Sequence, residues 1–119
     1  MAEHNELGDL GEALAIEFLV KNNYRILEKN WRFKKAEVDI IALKNDVLAV
    51  VEVKTRSTDF FGNPQDAVNQ KKIQLLVSAI NEYVISKDLD VEVRFDIIAI
   101  IKKPNSVEIN HLEDAFFHF

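Results

Sequence analysis

Two rhythms of apolar residues divide this chain. Between about Glu6 and Asn22, Leu7, Leu10, Leu14 and Phe18 recur at helical spacing, with Ala15 and Leu19 widening the stripe, and they predict a helix. Asn22-Asn23 ends it, and Tyr24 to Arg32 reads as a first strand whose apolar Tyr24, Ile26 and Leu27 give way to basic residues. Val38 to Leu43 and Val47 to Val53 are β-branched runs separated by Lys44-Asn45-Asp46, the pattern of two strands joined by a tight hairpin. Thr55 to Gly62 reads as a loop. Asn63-Pro64 then offers a helix start, Asn as cap and Pro in the first turn, and the stripe Val68, Leu75, Leu76, Ala79, Ile80, Tyr83 and Val84 carries that helix to about Ser86. Val91 to Ile101 alternates acidic and apolar residues before becoming continuously apolar, so this strand begins near a surface and ends buried. Pro104-Asn105 makes a turn and Val107 to Leu112 a short strand. The closing Ala115-Phe116-Phe117-His118-Phe119 carries apolar surface that must cover the core or a second subunit. The order of elements predicts an α/β fold. Its central mixed sheet has about five strands, the first three an antiparallel meander and the third and fourth parallel through the long helix between them.

Charged residues interrupt the hairpin strands. Glu37, Asp39, Glu52 and Lys54 stand in segments that otherwise read as buried sheet, where charges are rare without partners. With Asn45-Asp46 as a two-residue loop, Lys44 faces Val47, and counting outward sets Asp39 opposite Glu52 and Glu37 opposite Lys54. Opposed residues and alternate residues share a sheet face, so the four groups converge. Two carboxylates ~5 Å apart at an effective dielectric of about 20 repel by roughly 3 kcal/mol, more than a marginally stable domain tolerates without compensation. A bound cation compensates, and oxygen donors with no Cys or His nearby favour a hard divalent ion such as Mg²⁺. The plainer alternative pairs Glu37 with Lys54 and caps Asp39 with backbone donors at a strand end.

Asp39 followed by Glu52-Val53-Lys54 resembles the core signature of the PD-(D/E)XK nuclease superfamily. Five blocks extend the likeness over nearly the whole chain. GEALAIEFL, NYRILEKNWR, AEVDIIA, VVEVKTR and RFDIIAI stand in the order seen in the YraN-like family, small bacterial proteins related to endonucleases and to archaeal Holliday-junction resolvases. The resemblance implies a restriction-endonuclease-like core that hydrolyses phosphodiester bonds with Mg²⁺ or Mn²⁺. It implies Asp39 and Glu52 as metal ligands together with the Val53 backbone carbonyl. Lys54 is then the cation that positions water or neutralises charge developing on the phosphorus, with Glu37 holding it. The family places a functional glutamate in the Gly-Glu pair of its first helix, here Gly11-Glu12, so Glu12 would contact a metal or its water; by position alone it is a solvated helix residue. Related nucleases often carry a Gln or Lys on the helix after Glu-x-Lys, which brings in Gln70, Lys71 and Lys72, a trio that otherwise reads as a solvated face. Two positions depart from the pattern: Ala36, where a glycine commonly precedes the Glu-x-Asp block, and Val38, where the superfamily has its nominal proline. Neither removes an acidic group or the lysine. Analogy with resolvases suggests branched DNA as substrate and a symmetric homodimer.

Composition changes the picture mainly through charge. A chain of 119 residues, 48% hydrophobic and 29% charged, fits one ordinary globular domain, and the absence of cysteine excludes disulfides, thiol catalysis and thiolate metal sites. A net charge of −5 counts against a nucleic-acid binder, but the charge is uneven. Residues 1–20 hold five acids and no Lys or Arg, whereas Lys21, Arg25, Lys29, Arg32, Lys34 and Lys35 face only Glu28 over residues 21–35. Contacts to DNA, branched or single-stranded, are expected from Arg32, Lys34, Lys35, Arg56, Lys71 and Lys72, and they should be weak and salt-sensitive. Trp31 and Phe33, interleaved with these cations, either stack on bases or pack in the core. The acidic start and the lack of an apolar run approaching ~20 residues give the expectation of a cytoplasmic protein with no membrane association.

Two other classes of function stay open. One is a nucleic-acid-binding module that has lost turnover. The other is an interaction protein using the Phe-rich tail, its carboxylates merely paired to Lys54 and Arg94. Arg94 and Asp96 share a face; Arg94 reads as paired with a neighbouring acid, and Asp96 is not counted as a ligand. His4, His111 and His118 lie outside the acidic cluster and read as surface or tail residues.

Overall fold

The computed structural model describes residues 2–57 and 69–115. Its elements are α1 (Ala2–Lys21), β1 (Arg25–Phe33), β2 (Ala36–Lys44), β3 (Val47–Arg56), α2 (Gln70–Ser86), β4 (Glu92–Lys102) and β5 (Val107–Leu112). The strands form one mixed sheet in sequence order. β1, β2 and β3 make the expected antiparallel meander, β4 lies parallel to β3, and β5 returns antiparallel along β4. With its two helices, this is the α/β arrangement expected, consistent with a restriction-endonuclease-like core. No helix among the described residues is long and apolar enough to cross a membrane.

The hairpin turn fixes the register. Asn45 takes a left-handed conformation with φ 55°, which Asn tolerates better than most residues, and Lys44 then pairs with Val47, Ala42 with Ala49 and Ile40 with Val51. The start of α2 differs from expectation. Asn63-Pro64 and Val68 lie outside the described residues, and the helix is capped by Asn69, whose Oδ1 accepts the Lys72 N–H at 2.8 Å.

One helix packs on each face of the sheet. On the α2 side, Ile73, Leu76, Ile80 and Tyr83 meet Val38, Ile41, Leu48, Val50, Phe95 and Ile97. On the α1 side, Ala15 and Leu19 meet Tyr24, Ile40, Ala42, Ala49, Val51, Ile98 and Ile100. The buried line of α1 lies at one edge of the predicted stripe: Ala15 and Leu19, which widen that stripe, are buried together with Gly11, while Leu10 is 37% exposed. Small residues at four-residue spacing let the helix approach the sheet closely. A Cβ built on Gly11 would overlap Thr55 Oγ1 and stand 2.9 Å from Thr55 Cβ, a clash that rotation of the threonine does not relieve.

Trp31 resolves toward packing, partly buried against the α2-side core with its ring edge-on to Tyr83 at 5.2 Å. His111 is not a surface residue. Its Nε2 lies 2.8 Å from Asp96 Oδ2, and its ring meets Phe18 edge-on at 5.8 Å. Asp96 is completely buried and also accepts from the Arg94 guanidinium, at 2.8 Å from Nη2 and 2.9 Å from Nε, and from the Asp114 N–H at 3.0 Å. The neighbouring acid expected for Arg94 is thus Asp96, and the pair is part of a network that ties β4, β5 and the following turn together. Ala115 is buried and its N–H donates to the Phe95 carbonyl at 2.8 Å; Phe116 to Phe119 lie outside the described residues.

Candidate functional site

The site forms where β2 and β3 part. Their ladder runs from the turn to Ile40↔Val51, and one step beyond it Asp39 Oδ2 accepts the Val53 N–H at 2.8 Å where a main-chain carbonyl would otherwise do so. The face alternation of β2 breaks at the same point. Val38 packs on the α2 side and Ile40 on the α1 side, although residues two apart on a regular strand share a face. Asp39 therefore sits at an irregular strand end, anchored to the neighbouring strand by its own carboxylate.

Glu52 enters from β3, only 5% exposed. Its Oε1 lies 3.1 Å from Lys72 Nζ and 3.9 Å from Lys54 Nζ. Two adjoining cavities open onto these groups. One of about 320 Å³ lies toward α2 and is lined by Lys35, Ala36, Glu37, Asp39, Glu52, Lys72, Leu75 and Leu76. The other, about 340 Å³, lies toward α1 and is lined by Glu12, Asp39, Glu52, Val53, Lys54, Thr55, Arg56 and Lys72 among others. Asp39, Glu52 and Lys72 border both, so the cavities are two halves of one cleft.

Electrostatics in the cleft are unfavourable. Burial pushes the Asp39 carboxyl above its ordinary range, against the pull of the Val53 N–H and the charges of Lys54 and Lys72. Burial also raises Glu52, and the charge of Asp39 adds to the rise. The Lys54 ammonium is pushed down by burial and by Lys72, against the attraction of the two carboxylates. Groups of both signs held away from their ordinary values in one cleft make it a candidate functional site.

Glu12 reaches the same cleft from α1. Burial and the charge of Asp39 raise its carboxyl, and a side-chain hydrogen bond with Asn30 opposes the rise. The missing Cβ at Gly11 is what brings this turn of α1 against Thr55, next to the lysine of the cleft. Of the other residues singled out, Lys35 and Arg56 line the cleft, and Arg56 donates to the Thr55 carbonyl at 3.0 Å. Lys34 lies over the Phe33 ring at 5.4 Å, and Gln70 and Lys71 are exposed at the start of α2. Glu37 does not hold Lys54. Past Asp39, β2 stays paired with β1, Arg32 against Glu37, and the exposed Glu37 carboxylate meets Arg32 Nη2 at 3.3 Å. Lys72, expected only as a phosphate contact, reaches the buried glutamate itself. Asn30 is a member of the site that sequence reasoning misses; its φ of 51° inside a strand betrays it in three dimensions, and a lone Asn in a β-run is the only hint in the chain.

The donors suit a hard cation that keeps much of its water. Among the described residues no three His, Cys, Asp or Glu side chains stand together as a metal-holding group. Asp39 and Glu52 would supply two carboxylates and Val53 a main-chain carbonyl, the small donor set with which Mg²⁺ is commonly bound, water and substrate oxygens completing it.

Known proteins resemble the chain over its whole length. The model of Uncharacterised protein family UPF0102 matches residues 11–100, a span that holds Glu12, Asp39, Glu52, Lys54 and Lys72. A UPF0102 protein of Flavobacterium psychrophilum is 63% identical over 119 residues, all of both chains, and one of Christiangramia forsetii is 61% identical over the same full extent. One of Parabacteroides distasonis is 50% identical over 117 residues, 98% of this chain and 97% of its own. The chain therefore belongs to UPF0102, the YraN-like family that its ordered blocks resemble.

Proposed function

We propose that this UPF0102 protein is a metal-dependent nuclease of the PD-(D/E)XK type, hydrolysing phosphodiester bonds of nucleic acid. The observation that carries the reading is the pair Asp39 and Glu52, both pushed above the ordinary carboxylate range in one cleft and faced there by Lys54 and Lys72. Two carboxylates in such a place favour a divalent cation, whose charge offsets theirs and draws their pKa values down.

Asp39, Glu52 and the Val53 carbonyl would hold Mg²⁺ or Mn²⁺. When bound, such an ion supplies a Lewis acid for the phosphate and a lowered pKa for water. The chain's own groups do the rest. The Val53 N–H keeps the Asp39 carboxylate from rotating. Lys54, half-buried beside Glu52, is a preorganised cation for the charge that develops on the phosphate. Glu12, steadied by Asn30, orders water on the α1 side of the cleft. Lys35 and Arg56 on the rim, with Lys71 nearby, contact neighbouring phosphates and set the position of the strand without reading its sequence.

The test is cleavage of labelled single-stranded, duplex, flapped and four-way DNA and of RNA at low salt with Mg²⁺, Mn²⁺ or EDTA. Metal-dependent products that Asp39→Ala fails to make are the expected result. Products that persist in that variant, or none from any substrate, would overturn the reading. Lys54→Ala should cut the cleavage rate by roughly 10²- to 10³-fold with nucleic-acid binding retained. Unchanged cleavage by Lys54→Ala beside lost cleavage by Asp39→Ala would remove Lys54 from this role.

A further inference from the structure

We propose that Phe33 is a stacking platform for an unpaired base, so that the substrate of the cleft is single-stranded or splayed nucleic acid and not continuous duplex. The inference rests on the nuclease reading for the cleft itself.

Phe33 is the last residue of β1 and pairs with Ala36, which lines the α2 half of the cleft. Three residue steps along the strand, about 10 Å, take Ala36 to Asp39. The Phe33 ring lies stacked against that of Trp31, with centroids 6.0 Å apart and planes 6° from parallel. Trp31 is itself wedged edge-on against Tyr83 of α2 and packed on the core. The two rings thus form a ledge fixed at its inner end by the fold, and its outer ring is only partly buried. A structural role accounts for Trp31. It does not account for a second ring stacked beyond it at the rim.

The surroundings suit a polyanion with aromatic faces. Arg32, Lys34 and Lys35 are exposed around Phe33, and Lys34, in a left-handed conformation at φ 55°, carries its Nζ 5.4 Å from the Phe33 ring centre. Lys34 is an exposed, flexible side chain, so a base can displace it from that ring and leave its cation to meet a phosphate, as Lys and Arg do where bases stack on protein aromatics. Lys35 belongs both to this tip and to the cleft, which gives one continuous path from the ring to the carboxylates. Inside a duplex each base face is already covered by its neighbours, so an aromatic ledge gains nothing along it. Only a base out of its stack can lie on it.

The experiment is fluorescence anisotropy with an oligo-dT strand and a blunt duplex of equal length, at low salt with Ca²⁺ as the cation, for wild type, Phe33→Ala and Phe33→Trp. A parallel series places 2-aminopurine at successive positions of the single strand. Wild type should prefer the single strand and quench 2-aminopurine at one or two positions. Phe33→Ala should weaken single-strand binding by about tenfold or more and leave duplex binding within about twofold, while Phe33→Trp keeps the preference. Equal losses on both substrates, no loss on either, a tryptophan variant that behaves like alanine, or no quenching by wild type would each overturn the platform and leave the nuclease reading standing. Wild type that binds neither substrate would overturn both. The quenching arm uses unaltered protein, so it decides the matter even if Phe33→Ala folds poorly.

Discussion

Lys72 Nζ lies nearer to Glu52 Oε1, at 3.1 Å, than Lys54 Nζ does at 3.9 Å, although Lys54 is two residues from Glu52 on the same strand and Lys72 is twenty residues away on α2. The lysine of the Glu-x-Lys motif is therefore not the principal partner of its glutamate. The first turn of α2, held by the Asn69 cap, delivers a cation to the place where the two carboxylates repel.

That arrangement makes Lys72 a competitor for any metal at the site. The Lys72 side chain is 37% exposed, so its ion pair is partly screened and can open. Lys72→Ala should raise the affinity of the nucleic-acid-free protein for Mn²⁺ by roughly two- to fivefold, measured by calorimetry. A weaker or unchanged affinity would mean that the lysine organises Glu52 and does not compete for it.

The carboxylates should also weaken the metal-free fold as they ionise. Asp39 and Glu52 have folded-state pKa values raised above their ordinary 3.8 and 4.5, chiefly by burial, so the folded protein binds their protons more tightly than the unfolded chain. Their contribution to stability is fully present below those ordinary values and is lost as the pH rises through the folded ones. Asp39→Asn keeps an oxygen for the Val53 N–H and removes the charge. It should raise the urea midpoint near neutral pH without metal, by about 1 kcal/mol or less in stability, and flatten the pH dependence. An Asp39→Asn variant less stable than wild type at neutral pH in EDTA would contradict the sign.

Helix α1 is seated through an absent side chain. Gly11→Ala places a methyl group against Thr55 Oγ1, Cβ and Cγ2 and should cost about 1–3 kcal/mol, read by thermal or urea unfolding. The double variant Gly11→Ala with Thr55→Gly opens the space again and should recover part of the loss. Equal stability of wild type and Gly11→Ala would show that the helix shifts freely at this point.

Asp96 works in the opposite pH direction from the cleft carboxylates. Burial by itself would raise its carboxyl, but hydrogen bonds from His111, Arg94 and the Asp114 N–H together hold it below 3.8. Its contribution is therefore full above that value and is lost as the pH falls through the folded value, which places it on the acid limb of unfolding. Asp96→Ala leaves the Arg94 guanidinium without its main partner and should cost about 3 kcal/mol or more by urea denaturation, whether or not Mg²⁺ is present. A cost that metal alters would tie this network to the cleft.

The parts of the site that are legible in the chain lie within one hairpin. Counting from Asn45-Asp46 sets the register that the sheet adopts, because a two-residue turn leaves no freedom in which residue faces which. It also brings Asp39 and Glu52 to one place. The same count misplaces Glu37, since it assumes that the ladder continues, and β2 leaves β3 at Asp39 while keeping β1. The periodicity of α1 identifies a helix but favours Leu10 over Gly11. Hydrophobicity ranks large residues first, whereas close packing on a sheet selects small ones.

The order and type of the elements, the meander, the hairpin register and the family can thus all be read from the chain before it folds. Each of these depends on neighbours in sequence, on the rhythm of apolar residues and on turn chemistry. Other features exist only once the core has assembled: Lys72 meets Glu52, Asn30 meets Glu12, Glu37 turns to Arg32, and His111 closes on a buried Asp96. Each of these contacts joins two different elements of the fold. They follow from how closely each helix settles on the sheet and where a strand ladder stops, and those depend on packing of the whole core, not on any local pattern.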